Sequence, residues 1–329
     1  MTTARPARRA PRTALALAAA AALALLAACG SGSGSTASSG AGKAAGGAPA
    51  ASSSSAIPTE DVVSAVRTDP ALKAELPAAV RGRGTLVLGT TKAVGTSGLP
   101  HAGQDASGKE VGLDADLRDA VAKVLGVRLD VEYGTFPTLI PGVQNAKYDV
   151  GFGNFGATAA REKVVDFSTY LNDGQSFLGA KDIPTDHVST LDDLCGYTIA
   201  TSPGSTFQQI LTDGAAKCAA AGKKPYKVQY FSDTGPIFLG LANGKVDVFF
   251  GPTLSLKYEA EHLAGTKYLG QISSTPVGFV TAKGSALAKA LSDAVNKLIA
   301  SGDYARIFAK WGVPDTAVTK SVVNPATTL

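Results

Sequence analysis

The chain has 329 residues, 45% hydrophobic and 18% charged, which excludes collagen-like, coiled-coil and wholly disordered classes and leaves room for one large or two ordinary domains. Its formal net charge is +4, but Arg5, Arg8, Arg9 and Arg12 lie in the first twelve positions, and without them 27 of the 31 basic residues face 27 acidic ones. A near-neutral body gives no electrostatic case for nucleic acid or for a basic membrane-binding face.

The amino terminus reads as an address. Arg5 to Arg12 form a positive leader, and Thr13 to Ala28 form an apolar stretch short of the about 20 residues a spanning helix needs. Leu26-Ala27-Ala28-Cys29 then runs small residues into a cysteine. Residues 1–28 are therefore expected to be a lipoprotein signal peptide, with Cys29 carrying the lipid after cleavage. The Arg8-Arg9 pair lacks the neighbours of a twin-arginine signal. The following Gly, Ser and Ala residues, 29–57, cannot bury a core and read as a flexible tether with a reach of roughly 30 Å. In an exported chain, Cys195 and Cys218 are expected to form a disulfide.

Residues 58–80 carry Val62, Val63, Val66, Leu72, Leu76 and Val80, interrupted by Pro70 and Pro77. They predict one or two short helices in an extension packed on the main body. A strand–helix alternation follows. It runs through a strand at 85–89, a Gly-rich loop at 95–112, and a helix at 114–125 on the spacing of Leu113, Leu117, Val121 and Leu125. Gly126 ends that helix. Next come a strand at 127–131, a helix at 136–145 opened by Pro137, a strand at 148–152, a helix at 158–165, and a strand at 177–180 leaving the region. The pattern then restarts. It predicts a helical turn at 191–194, strands at 197–201, 227–231 and 246–250, helices at 206–221, 237–243 and 254–263, and strands at 268–272 and 277–281. Leu287, Leu291, Val295 and Leu298 mark a long amphipathic helix. Tyr304, Ile307, Phe308 and Trp311 mark a terminal one, read as core packing. Two runs of alternating units imply an α/β architecture of two lobes, each a mainly parallel sheet flanked by helices. Ligands of such sheets bind beyond the carboxyl ends of strands, near helix amino termini.

Most catalytic signatures are absent. No HExxH, paired CxxC, Walker loop, SxxK or GxSxG occurs, and His101, His187 and His262 show no metal spacing and read as surface positions. No catalytic residue, metal or cofactor is expected. Gly151 to Gly156 fits GxGxxG, with Asp173 about 20 residues on, but it lies in mid-domain, and Asp173 reads as part of a Gly-containing turn. What survives is a set of backbone amides open to an anion.

Two junctions suit an anion. In the first, Thr158 caps a helix whose first turn holds Arg161, a place where the helix dipole disfavours a cation. Glu162 or Asp166 could offset it; the alternative is a ligand carboxylate gripped by the guanidinium fork and free amides. The second, Ser202-Pro-Gly204-Ser205-Thr206, could meet a ligand with hydroxyls and amides, or could simply cap a helix.

Several motifs, in order, resemble the family 3 extracellular solute-binding proteins, the polar amino-acid receptors of ABC importers. They are Gly84-Thr-Leu-Val-Leu-Gly89, Gly108 to Leu117 (like GKxVGFDVDL), Leu139-Ile-Pro141, Tyr148-Asp-Val150, Thr158-Ala-Ala-Arg161 (TxxR) and Val165-Asp-Phe-Ser168. Then follow Leu191 to Gly196, Gly204-Ser-Thr206, Asn243 to Asp247, and Gly302-Asp-Tyr through Lys310-Trp311. The resemblance implies a type II periplasmic-binding-protein clamshell with two connecting strands, one lobe at 81–178 with 277–329 and the other at 179–276. It implies a non-enzymatic receptor that delivers a small carboxylate-bearing solute to an ABC permease; with the Cys29 signal the expectation is a lipid-anchored protein on the outer face of the cell membrane, taken as a monomer by default. A sensor without transport and a dehydratase-type enzyme on the same fold are the alternatives.

By family role, Arg161 holds the ligand carboxylate. Asn154 and the Gly156 amide lie beside it, Phe136 packs on the ligand, and Gly204, Ser205 and Thr206 contribute from the second lobe. The chain also departs from the family. Pro252 stands where an Asp usually pairs with the ligand ammonium, Thr91 replaces the opening-strand acid, Pro100-His101 replaces a Pro-Phe pair, and Gly156 replaces a hydroxyl residue. An unpaired buried ammonium costs several kcal/mol. Either another acid serves, with Asp233 the first candidate, or the ligand lacks a conventional α-amine.

Overall fold

The computed structural model describes residues 57–327 and Leu329, so the signal peptide, the Cys29 lipidation site and the tether up to 56 lie outside the described residues. The described elements all fall within one unit of the chain, Ser53–Leu329.

The extension forms two short helices. The Asp69 side chain accepts from the amides of Ala71 and Leu72 to cap α1 (Pro70–Glu75), and Gly84 ends α2 (Ala78–Arg83). Val62, Val66, Leu76 and Val80 are buried in the same apolar cluster as the main body. Lys123 Nζ donates to the carbonyls of Val63 and Ser64, and Lys297 pairs with Asp69. The extension is thus packed on the body, as its apolar spacing predicts.

The body then runs β1 (Thr85–Thr90), β2 (Gly103–Gln104), β3 (Glu110–Val111), α3 (Leu113–Leu125), β4 (Arg128–Tyr133), α4 (Phe136–Gln144), β5 (Val150–Gly156), α5 (Ala159–Glu162) and β6 (Val165–Ala180). It continues through β7 (Thr198–Thr201), α6 (Thr206–Asp213), α7 (Lys217–Ala220), β8 (Lys227–Tyr230), α8 (Thr234–Ala242), β9 (Val248–Pro252), α9 (Thr253–His262), β10 (Thr266–Ala282), α10 (Ala286–Ser301) and α11 (Asp303–Lys310). Apart from the β2–β3 pair, the strands form one 8-stranded sheet in the order β4-β1-β5-β10-β6-β9-β7-β8.

At one end β1 pairs parallel with β4 and β5, and at the other β7 pairs parallel with β8 and β9. Between them β6 and β10 run antiparallel from Thr266↔Ala180 to Ala282↔Val165. The carboxyl half of β10 borders β5, and the carboxyl half of β6 borders β9. Two long strands therefore join two α/β lobes. The first lobe packs α3, α10 and α11 around Leu117, Val121, Leu291 and Phe308; the second has its own core at Phe177, Leu194, Ile199 and Phe250.

Both long strands correct the sequence reading. β6 has 16 residues, where a helix to 165 and a strand at 177–180 were expected; β10 has 17, where two strands were expected. The cause is the polar centre of each. Asn172-Asp-Gly174 and Gln271 to Thr275 have turn composition, yet they are satisfied across the strand pair. Gln175 Nε2 donates to Thr275 Oγ1 at 2.9 Å, and Ser273 Oγ donates to Gln175 Oε1 at 2.7 Å. The helix expected at 206–221 breaks at Gly214 into α6 and α7. Cys218 on α7 is disulfide-bonded to Cys195, which follows the helical turn Leu191–Leu194.

Candidate functional site

A cavity of about 520 Å³ opens between the lobes. The first lobe lines it with Thr91, Lys92, His101, Asp114, Phe136 and Asn154, and the second with Ser202, Asp233, Thr234, Pro252 and Ser255. A smaller cavity of about 210 Å³ is lined by Thr158, Arg161, Gly204, Ser205, Thr206 and Asp213. The expected site residues are thus divided between two neighbouring cavities. Phe136 and Asn154 face the larger, with Asp233 exposed at its second-lobe rim. Arg161, Gly204, Ser205 and Thr206 face the smaller. Gly156 is buried between them, with a Cβ there reaching 3.0 Å from Thr275 Oγ1 and 3.4 Å from Thr206 Cγ2.

Arg161 spans the lobes. Its Nη1 donates to Gly156 O and its Nη2 to Gly204 O, each at 2.8 Å. The guanidinium also lies over the stacked rings of Phe136 and Phe155, at 5.9 and 5.8 Å from their centroids. Two of its five donors are used. Among the described residues no carboxylate lies within 4 Å of it. Asp166 pairs instead with Lys283. Glu162 keeps its Oε1 buried without a hydrogen-bond partner among the described residues and forms no ion pair with the guanidinium. Burial without an acid holds the Arg161 pKa down, to about 10, still cationic at neutral pH.

The free-amide readings need correction. Gly151 to Gly156 is strand, paired with β10 through Gly156↔Val277 and Phe155↔Gly278, so the GxGxxG run is part of the sheet. At α5, Thr158 Oγ1 accepts from Arg161 N, and Leu329 O accepts from Ala159 N. At the second junction, Ser205 Oγ accepts from Gln208 N and donates to Ser202 O, while Gly204 N donates to Gln208 Oε1. Helix capping explains Gly204 and Ser205. The anion-binding argument now rests on the guanidinium.

His101 is the largest correction. It is not a surface residue: it is 5% exposed and held between two buried carboxylates. Its Nδ1 lies 3.3 Å from Asp114 Oδ1, and its Nε2 lies 2.9 Å from Asp173 Oδ2. Backbone docking brings it there. Leu113 N donates to Pro100 O and Asp114 N to His101 O, fastening the loop to the start of α3. Gly112, at φ 135°, permits that approach, since a Cβ there would run into the His101 carbonyl. Burial alone would lower the imidazole pKa; Asp114 and Asp173 outweigh it and raise the value to about 10.

Asp173, expected in a turn, lies within β6 and joins the lobes. Its Oδ2 also accepts from Asn154 Nδ2 at 2.9 Å, and its Oδ1 accepts from Gly174 N and from Leu254 N of α9. Asn154, at φ 56°, leaves its Oδ1 buried without a hydrogen-bond partner. Sequence reasoning missed Asp114 and Asp173 as site residues. Asp114 lay unremarked inside the Gly108–Leu117 motif, and only the folded strand β6 brings Asp173 to a histidine 72 positions away.

On the second lobe, Ser255 Oγ donates to Gly98 O at 2.9 Å. One helical turn further on, Glu259 is 6% exposed with its Oε1 unpartnered. Burial pushes its pKa up to about 7, against the pull of His262 and the Gly98 amide. An acid with a raised folded-state pKa loses stability as pH rises from its unfolded value through the folded one. Glu259→Gln is therefore expected to stabilise the chain by about 1–2 kcal/mol at pH 8 and to change little at pH 4.5, as measured by urea unfolding.

Comparison with known proteins agrees with this architecture. Residues 93–314 match the model of the bacterial extracellular solute-binding proteins, family 3. The arginine-binding protein ArgT of Corynebacterium glutamicum is 26% identical over 264 residues, 78% of this chain and 83% of that protein. The L-glutamate/L-aspartate-binding protein of Pseudomonas aeruginosa is 29% identical over 271 residues, 76% of this chain and 85% of its own. Among solved structures, an ancestral arginine-binding protein bound to arginine is 33% identical with a TM-score of 0.61, covering 70% of this chain and 98% of that one. An ancestral amino acid-binding protein, described as a precursor of cyclohexadienyl dehydratase, is 26% identical with a TM-score of 0.62, covering 71% and 97%.

Proposed function

The chain belongs to the bacterial extracellular solute-binding proteins of family 3, and on that premise we propose that it is the lipid-anchored receptor of an ABC importer. It binds a small, polar, amino-acid-like solute through the solute's carboxylate in the interlobe cleft, and hands it to a membrane permease. It acts as a monomer, tethered through Cys29 to the outer face of the cell membrane. Its lobes divide at 81–178 with 277–329 and at 179–276. Among the described residues no helix is long and apolar enough to cross a membrane.

The observation that carries the reading is Arg161. It is a cation without an acid partner, bonded to a carbonyl of each lobe, with three donors left for a carboxylate. A solute bridging the lobes favours the closed state by as much as it binds that state better. Phe136 packs on the solute, Asn154 and Gly156 border it, and Thr206 approaches from the second lobe. The relatives named for arginine and for glutamate and aspartate support an amino-acid-like ligand. An enzymatic reading would need a base in the cleft. His101 has both ring nitrogens engaged by carboxylates and does not offer one.

The test is thermal unfolding of the purified chain, stripped of solute by unfolding and refolding, with L-arginine, L-glutamine and L-glutamate. Each is set beside its counterpart without the α-amine: 5-guanidinopentanoate, 4-carbamoylbutanoate and glutarate. At about 100 times its dissociation constant a ligand adds about 2.7 kcal/mol, a shift of a few degrees. At least one of these carboxylates is expected to give it. No shift with any of them would rule out a carboxylate-bearing amino-acid-like ligand.

A further inference from the structure

We propose that Asp114, held with Asp173 by His101 on the floor of the cleft, receives the ligand's protonated amine, with Asn154 Oδ1 as second acceptor. This assigns the cation half of the site to the first lobe and the connecting strand β6. It rests on the amino-acid-receptor reading above.

Three observations converge on it. The first is charge. Among the described residues, His101 is the only cationic side chain within 4 Å of Asp114 or Asp173. One imidazolium between two carboxylates leaves the cluster with one uncompensated negative charge. Asp114 is 6% exposed and Asp173 3% exposed, so that charge is poorly hydrated, and a buried charge seeks a partner. A ligand ammonium brings the cluster to neutrality.

The second is coordination. Asp173 is saturated by His101, Asn154, Gly174 and Leu254. Among the described residues, the Asp114 side chain has one hydrogen-bond contact, the 3.3 Å approach of His101 Nδ1. A carboxylate has about four acceptor positions, so Asp114 keeps acceptor capacity where Asp173 does not. His101 and Asp173 are positioning residues, and Asp114 makes the contact.

The third is access. Asp114, His101 and Asn154 all line the 520 Å³ cavity, and Asn154 Oδ1 is a buried acceptor without a partner. An ammonium has three donors, enough for Asp114 and Asn154 together. The second lobe offers Pro252 at its end of the cleft, which cannot pair with a cation. Asp233 is exposed, where water weakens an ion pair.

The experiment measures calorimetric affinities of the full chain for the three probe pairs: L-arginine with 5-guanidinopentanoate, L-glutamine with 4-carbamoylbutanoate, and L-glutamate with glutarate. The chain is expected to favour the amine-bearing member of the bound pair by at least tenfold. Asp114→Asn is expected to remove most of that preference while holding affinity for the amine-free member within about threefold. Asp233→Ala is expected to keep the preference. On the unsubstituted chain, the His101 ring resonances should move with the amine-bearing probe and stay in place with the amine-free one, a readout that does not depend on a variant folding. Loss of the preference in Asp233→Ala, its survival in Asp114→Asn, or unmoved His101 resonances would overturn the assignment. Equal affinity for both members of a pair overturns it while leaving the receptor reading intact; binding of no probe at all overturns both.

Discussion

Arg161→Ala is expected to weaken solute binding by a hundredfold or more, about 3 kcal/mol, because it removes the charge and the planar fork together. Arg161→Lys keeps a cation but loses two-point recognition of a carboxylate, so it should recover only part of the loss. Within the folded chain the guanidinium has a second set of contacts. Arg161 is bonded to Gly156 O and Gly204 O with no acid beside it, and burial already lowers its pKa. Removing it should therefore change unfolding free energy little, by about 1 kcal/mol in either direction. Titration calorimetry and urea unfolding on the same variants separate the two effects. A comparable loss of binding and of stability would mean that the residue braces the lobes instead of holding ligand.

Asp173→Asn is expected to give the largest loss of stability of any substitution considered, about 3–5 kcal/mol. It removes the charge that holds the buried His101 imidazolium, while Asn154 and the Leu254 amide lose an ionised acceptor. The pH dependence gives this loss a signature. The folded His101 pKa is raised from 6.5 to about 10, so its contribution is fully present below pH 6.5 and is lost as pH rises through about 10. The unsubstituted chain should lose stability across that window. Asp173→Asn lowers the folded pKa and should flatten the slope, leaving the variant most penalised near pH 6 and least at pH 10. Urea unfolding at several pH values from 6 to 10 measures it. A uniform penalty at every pH would show that Asp173 acts through packing alone.

The alternating architecture was legible because its elements bury strong periodic patterns. Leu113, Leu117, Val121 and Leu125 are all buried on α3, and Tyr304, Ile307 and Phe308 on α11. The packed extension was legible from its apolar spacing, and the paired cysteines from the exported context. The centre of the molecule was not. β6 and β10 pass from one lobe to the other through residues such as Asp173, Gly174 and Ser273, whose composition signals a turn. Only their mutual hydrogen bonds make strand the better solution.

The same limit explains the site. A local signal pointed to Arg161, in the first turn of α5, and the family resemblance pointed to Phe136, at the start of α4. At Gly204 and Ser205 the sequence left helix capping and ligand contact open, and the polar groups there cap α6. The charged floor was invisible because each member is unremarkable alone. His101 lies in a glycine-rich loop, Asp114 on a helix start and Asp173 in a long strand, and the cluster appears only where tertiary structure brings all three together and buries them.

Native mass spectrometry of the refolded chain and of Arg161→Ala, each mixed with the same pool of amino acids and amine-free carboxylates, tests the role of Arg161 most directly. The unsubstituted chain should retain one molecule of one carboxylate-bearing solute, and Arg161→Ala should retain none at the same concentration. A solute held equally by both proteins would contradict the central claim that Arg161 binds the ligand carboxylate between the lobes.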